Sequence, residues 1–184
     1  CYVRLWRRSQ ARKRKMWRIM VRILNCGCGS DSYGTDRIDV RPTSATTLVH
    51  DLEKGIPFPV DTFDEVFERN LLEHLRNVGF HLEEVHRVLK PSGKLMLITD
   101  NASRLLHHFG THTGRYERLH EGDHHYSIFT FQHLKNHLEN VGFRILRMEY
   151  CDTELATRYL DKVLRLIGLK RFSYPRIKVE ATKP

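Results

Sequence analysis

The chain has 184 residues, 40% of them hydrophobic, with a formal net charge of +9 and four cysteines. This length predicts one domain with a sizeable core, and the lack of any apolar run of about 18 residues excludes a membrane span. There is no secretory signal pattern, and the cysteines lack the spacing of a disulfide framework. A reducing compartment is therefore favoured, and we expect a cytoplasmic protein.

Residues 1–22 form a basic N-terminal arm, and residues 23–184 form the globular domain. The arm holds nine of the 31 Lys and Arg residues and no acidic one, so the other 22 basic residues balance the 22 acidic ones. Three interpretations stay open. The arm binds RNA through its phosphates, lies as an amphipathic helix on a membrane surface, or is a solvated helix whose Trp6 and Trp17 cover a ligand site.

The first predicted strand, residues 23–26, runs into a loop that contains Gly27 and Gly29. Two glycines without a bulky side chain between them indicate a loop that a ligand approaches closely. Asp39 ends the next short run, ten residues after Gly29. A glycine loop and an acid at the carboxyl ends of neighbouring strands are typical of a site for an adenosine-type ligand, whose ribose hydroxyls the acid binds.

Further along the chain, apolar patterns of strand and helix type alternate. Strands are predicted at 46–49, 63–67, 95–99 and 176–181, and helices are predicted around Leu82–Leu89 and Phe131–Val141, ended by Pro91-Ser92-Gly93 and by Gly142. This alternation predicts an α/β fold whose mostly parallel sheet carries helices on both faces. Residues 30–36 and 41–46 are too short for crossover helices, so we expect shortened first connections.

Five linked motifs occur in order: Gly27-Cys28-Gly29, the acid Asp39, Asp51 before Ile56-Pro57-Phe58, Leu72-Glu73-His74, and Arg87–Gly93. With them the chain resembles the class I S-adenosylmethionine-dependent methyltransferases of the small type 11 family, although Ser92 stands where that family usually has glycine. The resemblance implies a Rossmann-like sheet with an antiparallel edge strand, formed by Arg176–Ala181. A nicotinamide site is disfavoured because Ser32 occupies the position of its third glycine.

The resemblance also implies a cofactor, S-adenosylmethionine, and a set of residues that would bind it. Gly27, Cys28 and Gly29 would surround the methionine part, Asp39 would bind the ribose, and Asp51 with the Leu52 amide would bind adenine. Asn70 would face the methionine part and the transferring methyl group. Glu73 and His74 follow, and for His74 a buried structural contact is at least as well supported as a role in the site.

Residues 101–129 form a long connection after the fifth strand, and we expect this segment to cap the acceptor site. Its Asp123–Tyr126 patch makes His124 and His125 the candidates for a general base. His133 and His137 are spaced four residues apart on a predicted helix, and Cys26 and Cys28 flank Gly27. Neither pair has the further ligands that a metal centre needs, so we expect no metal site.

These features predict an enzyme that transfers a methyl group from S-adenosylmethionine to an acceptor that the sequence does not specify. Small molecules, sugars or lipids, proteins and RNA stay open. Because no Asn-Pro-Pro-Tyr or Asp-Pro-Pro-Tyr motif occurs, the exocyclic amino group of a base is disfavoured. The alternative is a non-catalytic nucleic-acid-binding protein that keeps the fold as a scaffold. The glycine loop together with Asp39 and Asp51 favours the enzyme, since a scaffold has no need of all three.

Overall fold

A single seven-stranded sheet organises the chain in the computed structural model, which describes residues 21–105, 125–151 and 159–184. In chain order the strands are β1 (Ile23–Cys26), β2 (Asp36–Asp39), β3 (Leu48–Val49), β4 (Phe63–Arg69), β5 (Leu89–Asp100), β6 (Arg144–Cys151) and β7 (Arg176–Thr182). Their spatial order is β3-β2-β1-β4-β5-β7-β6. Strands β1 to β5 pair in parallel, which confirms the predicted mostly parallel α/β sheet.

The last strand, β7, runs antiparallel to both of its neighbours, β5 and β6. Residues 176–181 were expected to form an antiparallel edge strand, but β7 lies one strand inside the edge, and the edge strand is β6. The two strands differ in the burial of their side chains. Ile177, Val179 and Ala181 are fully buried, whereas Arg144 and Arg147 on β6 are exposed. Charged side chains suit an edge strand because they oppose pairing with another chain.

Four helices accompany the sheet in the described ranges: α1 (Val78–Val88), α2 (Phe131–Val141), α3 (Tyr159–Leu166) and the short α4 (Lys170–Ser173). The carboxamide oxygen of Asn77 caps α1 by accepting from the Phe80 amide, and Gly142, at φ 101°, ends α2 as its sequence predicts. None of the helices in the described part of the chain is long and apolar enough to cross a membrane.

Helices α1 and α2 pack on the same face of the sheet. Cross-strand register places Leu24, Val66, Leu95 and Ala181 side by side on this face. The helices add Leu82, Val85, Leu134 and Leu138, which are fully buried against these strand residues. A buried contact of 2.7 Å between His81 Nε2 and Glu68 Oε1 also joins α1 to β4.

The first two connections, residues 27–35 and 40–47, contain no helix, as their lengths predict. Instead, the Tyr33 ring packs edge-on against Phe67, with ring centroids 5.0 Å apart, and the Tyr33 hydroxyl donates to Glu65. This hydrogen bond raises the pKa of Tyr33 to about 12. A tyrosine therefore covers part of the sheet face that a crossover helix would otherwise cover.

The turn before the long part of β5 differs from the family pattern at Ser92. Ser92 adopts φ 63°, a left-handed conformation that glycine tolerates best, and its amide donates to the Lys183 carbonyl. Gly93 is required by space, because a Cβ there would lie 2.8 Å from the Lys90 carbonyl oxygen. Helix α1 ends at Val88, and Leu89, predicted as its last apolar position, begins β5.

The predicted basic arm lies outside the described residues except for its last two positions. Arg22 is attached to the globular domain, since its guanidinium donates to both carboxylate oxygens of Asp36 at 2.9 and 2.8 Å. The ring of Phe63 lies 4.8 Å from the same guanidinium carbon. The hydrogen bonds between Arg22 and Asp36 raise the pKa of Arg22 and lower the pKa of Asp36. The division into an arm and a domain stays a prediction.

Candidate active site

The glycine loop leaves β1 in a conformation that its glycines make accessible. Gly27 has φ 65° and Gly29 has φ 51°, both in the left-handed region. A Cβ on Gly27 would lie 2.9 Å from Leu71 Cδ1, whereas a Cβ on Gly29 would meet nothing within 4 Å. Gly27 is therefore fixed by both packing and backbone, and the space beside Gly29 is open to a ligand.

The structure brings Asp39 against the glycine loop, as the sequence predicts. One carboxylate oxygen accepts from the Gly29 amide at 2.8 Å, and the other accepts from the Arg41 amide at 2.9 Å. An ionised carboxylate has about four acceptor positions, so two remain for the hydroxyls of a ligand. Asp39 thus holds the loop, and its contact with a ribose stays a prediction.

Asn70 follows β4 and has two unusual properties. Its φ of 55° is rare for a residue other than glycine, and its amide donates to the Ile98 carbonyl at 2.9 Å. Its side-chain Oδ1 is buried and accepts no hydrogen bond from the described residues. Strained backbone and an unsatisfied buried acceptor both carry a cost in free energy, and such costs concentrate at functional sites.

A cavity of about 230 Å³ joins the glycine loop to Asn70 at the carboxyl ends of β1 and β4. It is lined by Asn25, Gly27, Cys28, Gly29, Ser30, Asp31, Phe67, Arg69 and Asn70. Because ligand pockets typically measure about 300–1,000 Å³, this cavity suits one part of a cofactor rather than the whole. Its position is that of the ligand crevice in open α/β sheets.

This cavity is lined by an ion pair that the sequence did not predict. Arg69 donates to the Asp31 carboxylate at 3.0 Å, and both side chains are partly exposed. The available signal was the position of Arg69, which ends β4 directly before Asn70. The pairing with Asp31 depends on the shortened loop after Gly29, whose path the sequence did not specify.

Asp51 and Leu52 lie next to this region but do not line the cavity. The His50 amide donates to the Asp39 carbonyl at 3.0 Å, which fixes the chain beside the acid. The Asp51 carboxylate accepts from the Glu53 amide at 3.1 Å and caps the short 3-10 turn Leu52–Lys54. The structure therefore gives Asp51 a capping role, and its proposed contact with adenine stays a prediction.

Of the two candidate bases, His124 lies outside the described residues and His125 lies within them. The His125 ring contacts His74 edge-on, with ring centroids 4.5 Å apart. The next residue, Tyr126, donates its amide to the Glu73 carbonyl at 2.8 Å, and its ring lies 5.1 Å from the Arg76 guanidinium carbon. The end of the 101–129 segment is thus attached to the residues that follow Asn70.

Glu73 is a buried acid on this side of the site, and its burial was not predicted. Its side chain is 1% exposed and accepts from the Thr99 hydroxyl at 2.8 Å. Burial raises the pKa of Glu73, and the nearby Asp100 carboxylate acts in the same direction. A carboxyl group with a raised pKa beside a histidine pair is a second group able to hold a proton here.

Burial favours the neutral thiol form of the two cysteines that flank Gly27. Burial is the main cause that raises the pKa of Cys26 and of Cys28. Both are free of disulfides. Across residues 21–105, 125–151 and 159–184, no group of three or more His, Cys, Asp or Glu side chains is placed to hold a metal ion.

The fold is that of S-adenosylmethionine-dependent methyltransferases. An enzyme of this class from Mesorhizobium loti matches with a TM-score of 0.61 and 18% identity, over 88% of this chain and 90% of that chain. Another, from Archaeoglobus fulgidus, matches with a TM-score of 0.63 and 17% identity, over 98% and 94%. A Haloferax volcanii protein solved with the Trm112 methyltransferase activator matches with a TM-score of 0.62 and 15% identity, over 94% and 88%.

The family model for the methyltransferase domain matches residues 9–148, more than half of the chain. The chain therefore belongs to the methyltransferase domain family, and its cofactor is S-adenosylmethionine. A search of the curated proteins found no significant match. The predicted fold, enzyme class and cofactor are confirmed, while the assignment of individual site residues stays a prediction.

Proposed function

We propose that this methyltransferase binds its cofactor between the glycine loop, Asp39 and Asn70. The observation that carries this proposal is the buried, unsatisfied Oδ1 of Asn70 in the wall of the cavity. Such an acceptor fits the ammonium group of the cofactor's methionine part, which donates three hydrogen bonds. The open space at Gly29 and the two remaining acceptor positions of Asp39 fit the rest of the molecule.

Two further residues complete the proposed cofactor site. Arg69, held by Asp31 at 3.0 Å, would bind the cofactor's carboxylate, because a guanidinium pairs with carboxylates through two parallel hydrogen bonds. Asp51 and the Leu52 amide would bind adenine beside Asp39, provided that Asp51 shares its carboxylate with the Glu53 amide. When bound, S-adenosylmethionine supplies a methyl group already activated by the positive charge of its sulfur.

On the acceptor side, we propose that His125 takes the proton of the attacking group. A ring nitrogen of His125 would accept this proton, and His74, in ring contact with it, would orient the imidazole. The backbone contact between Tyr126 and Glu73 keeps His125 beside the segment that begins at Asn70. The main task of the site is alignment of the two reactants and exclusion of water, since the donor is reactive by itself.

The acceptor is proposed to be a hydroxyl or a protonated amine, because these are the groups that need a base. RNA stays a candidate acceptor through the basic arm, which lies outside the described residues. We also propose a cytoplasmic location. The free thiols of Cys26 and Cys28 support it, since disulfides rather than thiols mark oxidising compartments.

The proposal is tested by calorimetry with S-adenosylmethionine, followed by a screen of acceptors with the labelled cofactor. His125→Ala should lower turnover by about a hundredfold or more without a change in cofactor affinity, and the pH–rate profile should lose its limb in the range where histidine titrates. His133→Ala, which removes an exposed histidine on α2, is the matched control and should keep full activity. Full activity of His125→Ala on an identified acceptor would assign the base to another residue.

A further inference from the structure

We propose that the turn between α3 and α4 docks on an anionic phospholipid membrane. This turn, residues 166–169, is called the apolar tip. Leu166 is 86% exposed, Ile167 is 63% exposed and Leu169 is 42% exposed, so three large aliphatic side chains meet solvent together. Single exposed apolar residues are common on soluble proteins, but a contiguous group marks an interaction surface.

The tip is a defined turn rather than a frayed helix end. Gly168 adopts φ 81°, and its amide donates to the Arg165 carbonyl at 3.2 Å. The Leu169 amide donates to the Leu164 carbonyl at 2.8 Å, and Leu164 is buried against the domain. The backbone thus holds the three aliphatic side chains in an exposed position, although burying them would stabilise the fold.

Cations flank the apolar tip in the sequence. Lys162, Lys170 and Arg171 are exposed, and the Arg165 guanidinium packs over the Tyr174 ring at 3.9 Å. Asp161 is the one acidic residue in the sequence from 159 to 173, and its buried carboxylate accepts from Arg104 at 2.8 Å. Residues 159–173 therefore carry a net positive charge, which complements the negative surface of a membrane that contains anionic lipids.

Aliphatic side chains together with cations fit a membrane better than RNA. Leucine and isoleucine offer no flat ring for base stacking and no hydrogen bond to a base. At a membrane, the same side chains enter the boundary between head groups and acyl chains while lysine and arginine bind the head groups. The location of the tip suits this role. Asn101, directly after β5, donates to the carbonyls of Arg171 and Tyr174, so α4, which follows the tip, lies at the carboxyl ends of the strands, as the cofactor cavity does.

Vesicle flotation with the full chain tests the proposal, using phosphatidylcholine vesicles with and without phosphatidylserine. The chain should float with the phosphatidylserine vesicles, and the double variant Leu166→Ser, Ile167→Ser should bind them more than about tenfold more weakly at unchanged net charge. The matched control is Val60→Ser with Leu146→Ser, which removes residues that are 59% and 53% exposed elsewhere on the domain. The control should float like the unaltered chain.

Other results would overturn the proposal. Equal flotation of the tip variant and the control would show that charge alone, including that of the basic arm, drives binding. A full chain that does not float would exclude the membrane, and a tip variant that loses RNA affinity instead would assign the surface to nucleic acid. Because the replaced side chains are exposed, the tip variant should keep the melting temperature and the cofactor affinity of the unaltered chain while it loses membrane binding. These two readouts separate failure of this proposal from failure of the proposed cofactor site.

Discussion

Replacement of Asp39 gives the sharpest test of the cofactor site. The two acceptor positions that its carboxylate keeps after bonding to Gly29 and Arg41 are proposed to bind the ribose hydroxyls. A hydrogen bond to a charged group contributes about 1.5–3 kcal/mol. Since Asp39 is only half-buried, we take the lower value for each bond, so Asp39→Ala should cost about 3 kcal/mol. This corresponds to a roughly 150-fold weaker dissociation constant.

The cofactor affinity of Asp39→Asn should lie between those of the unaltered chain and Asp39→Ala, because asparagine keeps the shape of the side chain and one acceptor oxygen. Isothermal titration with S-adenosylmethionine and with its demethylated product measures both effects. Glu83→Ala removes an exposed acid on α1 and controls for the change in net charge. Asp39→Ala also removes the acceptors of two backbone amides, so a thermal melt should show a free energy of unfolding lower by about 1 kcal/mol. An Asp39→Ala protein that binds with unchanged affinity would refute the assignment of the ribose acid.

Four further changes test the site, the turn at Ser92, the buried acid and the basic arm. Asn70→Gly keeps the positive φ and removes the buried acceptor, so calorimetry should show weaker cofactor binding while the melting temperature stays close to that of the unaltered chain. In denaturant titrations, Ser92→Gly should leave the free energy of unfolding unchanged or raise it by up to about 1 kcal/mol, whereas Gly93→Ala should lower it. A less stable Ser92→Gly and a more stable Gly93→Ala would contradict the role given to this turn. Burial raises the pKa of Glu73, so the folded protein keeps a proton that the unfolded chain releases, and the free energy of unfolding falls as the pH rises above the ordinary pKa of glutamate. In thermal melts, Glu73→Gln should therefore gain more stability relative to the unaltered chain at about pH 7 than at about pH 4. An equal effect at both pH values would refute this account. Deletion of residues 1–15 should leave cofactor affinity nearly intact and abolish any salt-sensitive RNA binding, and a full chain that ignores RNA at low salt would remove RNA as a partner of the arm.

The sheet and the contact between the glycine loop and Asp39 followed from local sequence. Strand ends marked by Gly27, Gly29 and Asp39 define positions in a parallel sheet, and parallel strands bring their carboxyl ends to one edge. The hydrogen bond between Gly29 and Asp39 is the direct result. The order of motifs along the chain was sufficient to predict this contact, because it joins the ends of neighbouring strands.

Contacts between distant or irregular segments were not predictable in the same way. The ion pair of Arg69 with Asp31 depends on the path of a loop that carries no periodic pattern. The buried hydrogen bond of Glu73 comes from Thr99, which lies 26 residues further along the chain. The position of β7 inside the sheet depends on its pairing with both β5 and β6, and no local pattern within β7 specifies two partner strands. The capping bond of Asp51 joins residues only two positions apart, yet it was not predicted, because Asp51 was assigned to adenine alone.

The place of β7 between β5 and β6 has a consequence for synthesis of the chain on the ribosome. Strand β6 is made before β7 and contacts the rest of the sheet through β7. Until residues 176–182 emerge, the edge of β5 is uncovered and β6 has no partner strand, so a nascent chain exposes two sheet edges that attract other strands. Premature termination before β7 should therefore produce aggregating fragments, although every residue proposed to bind the cofactor is already present.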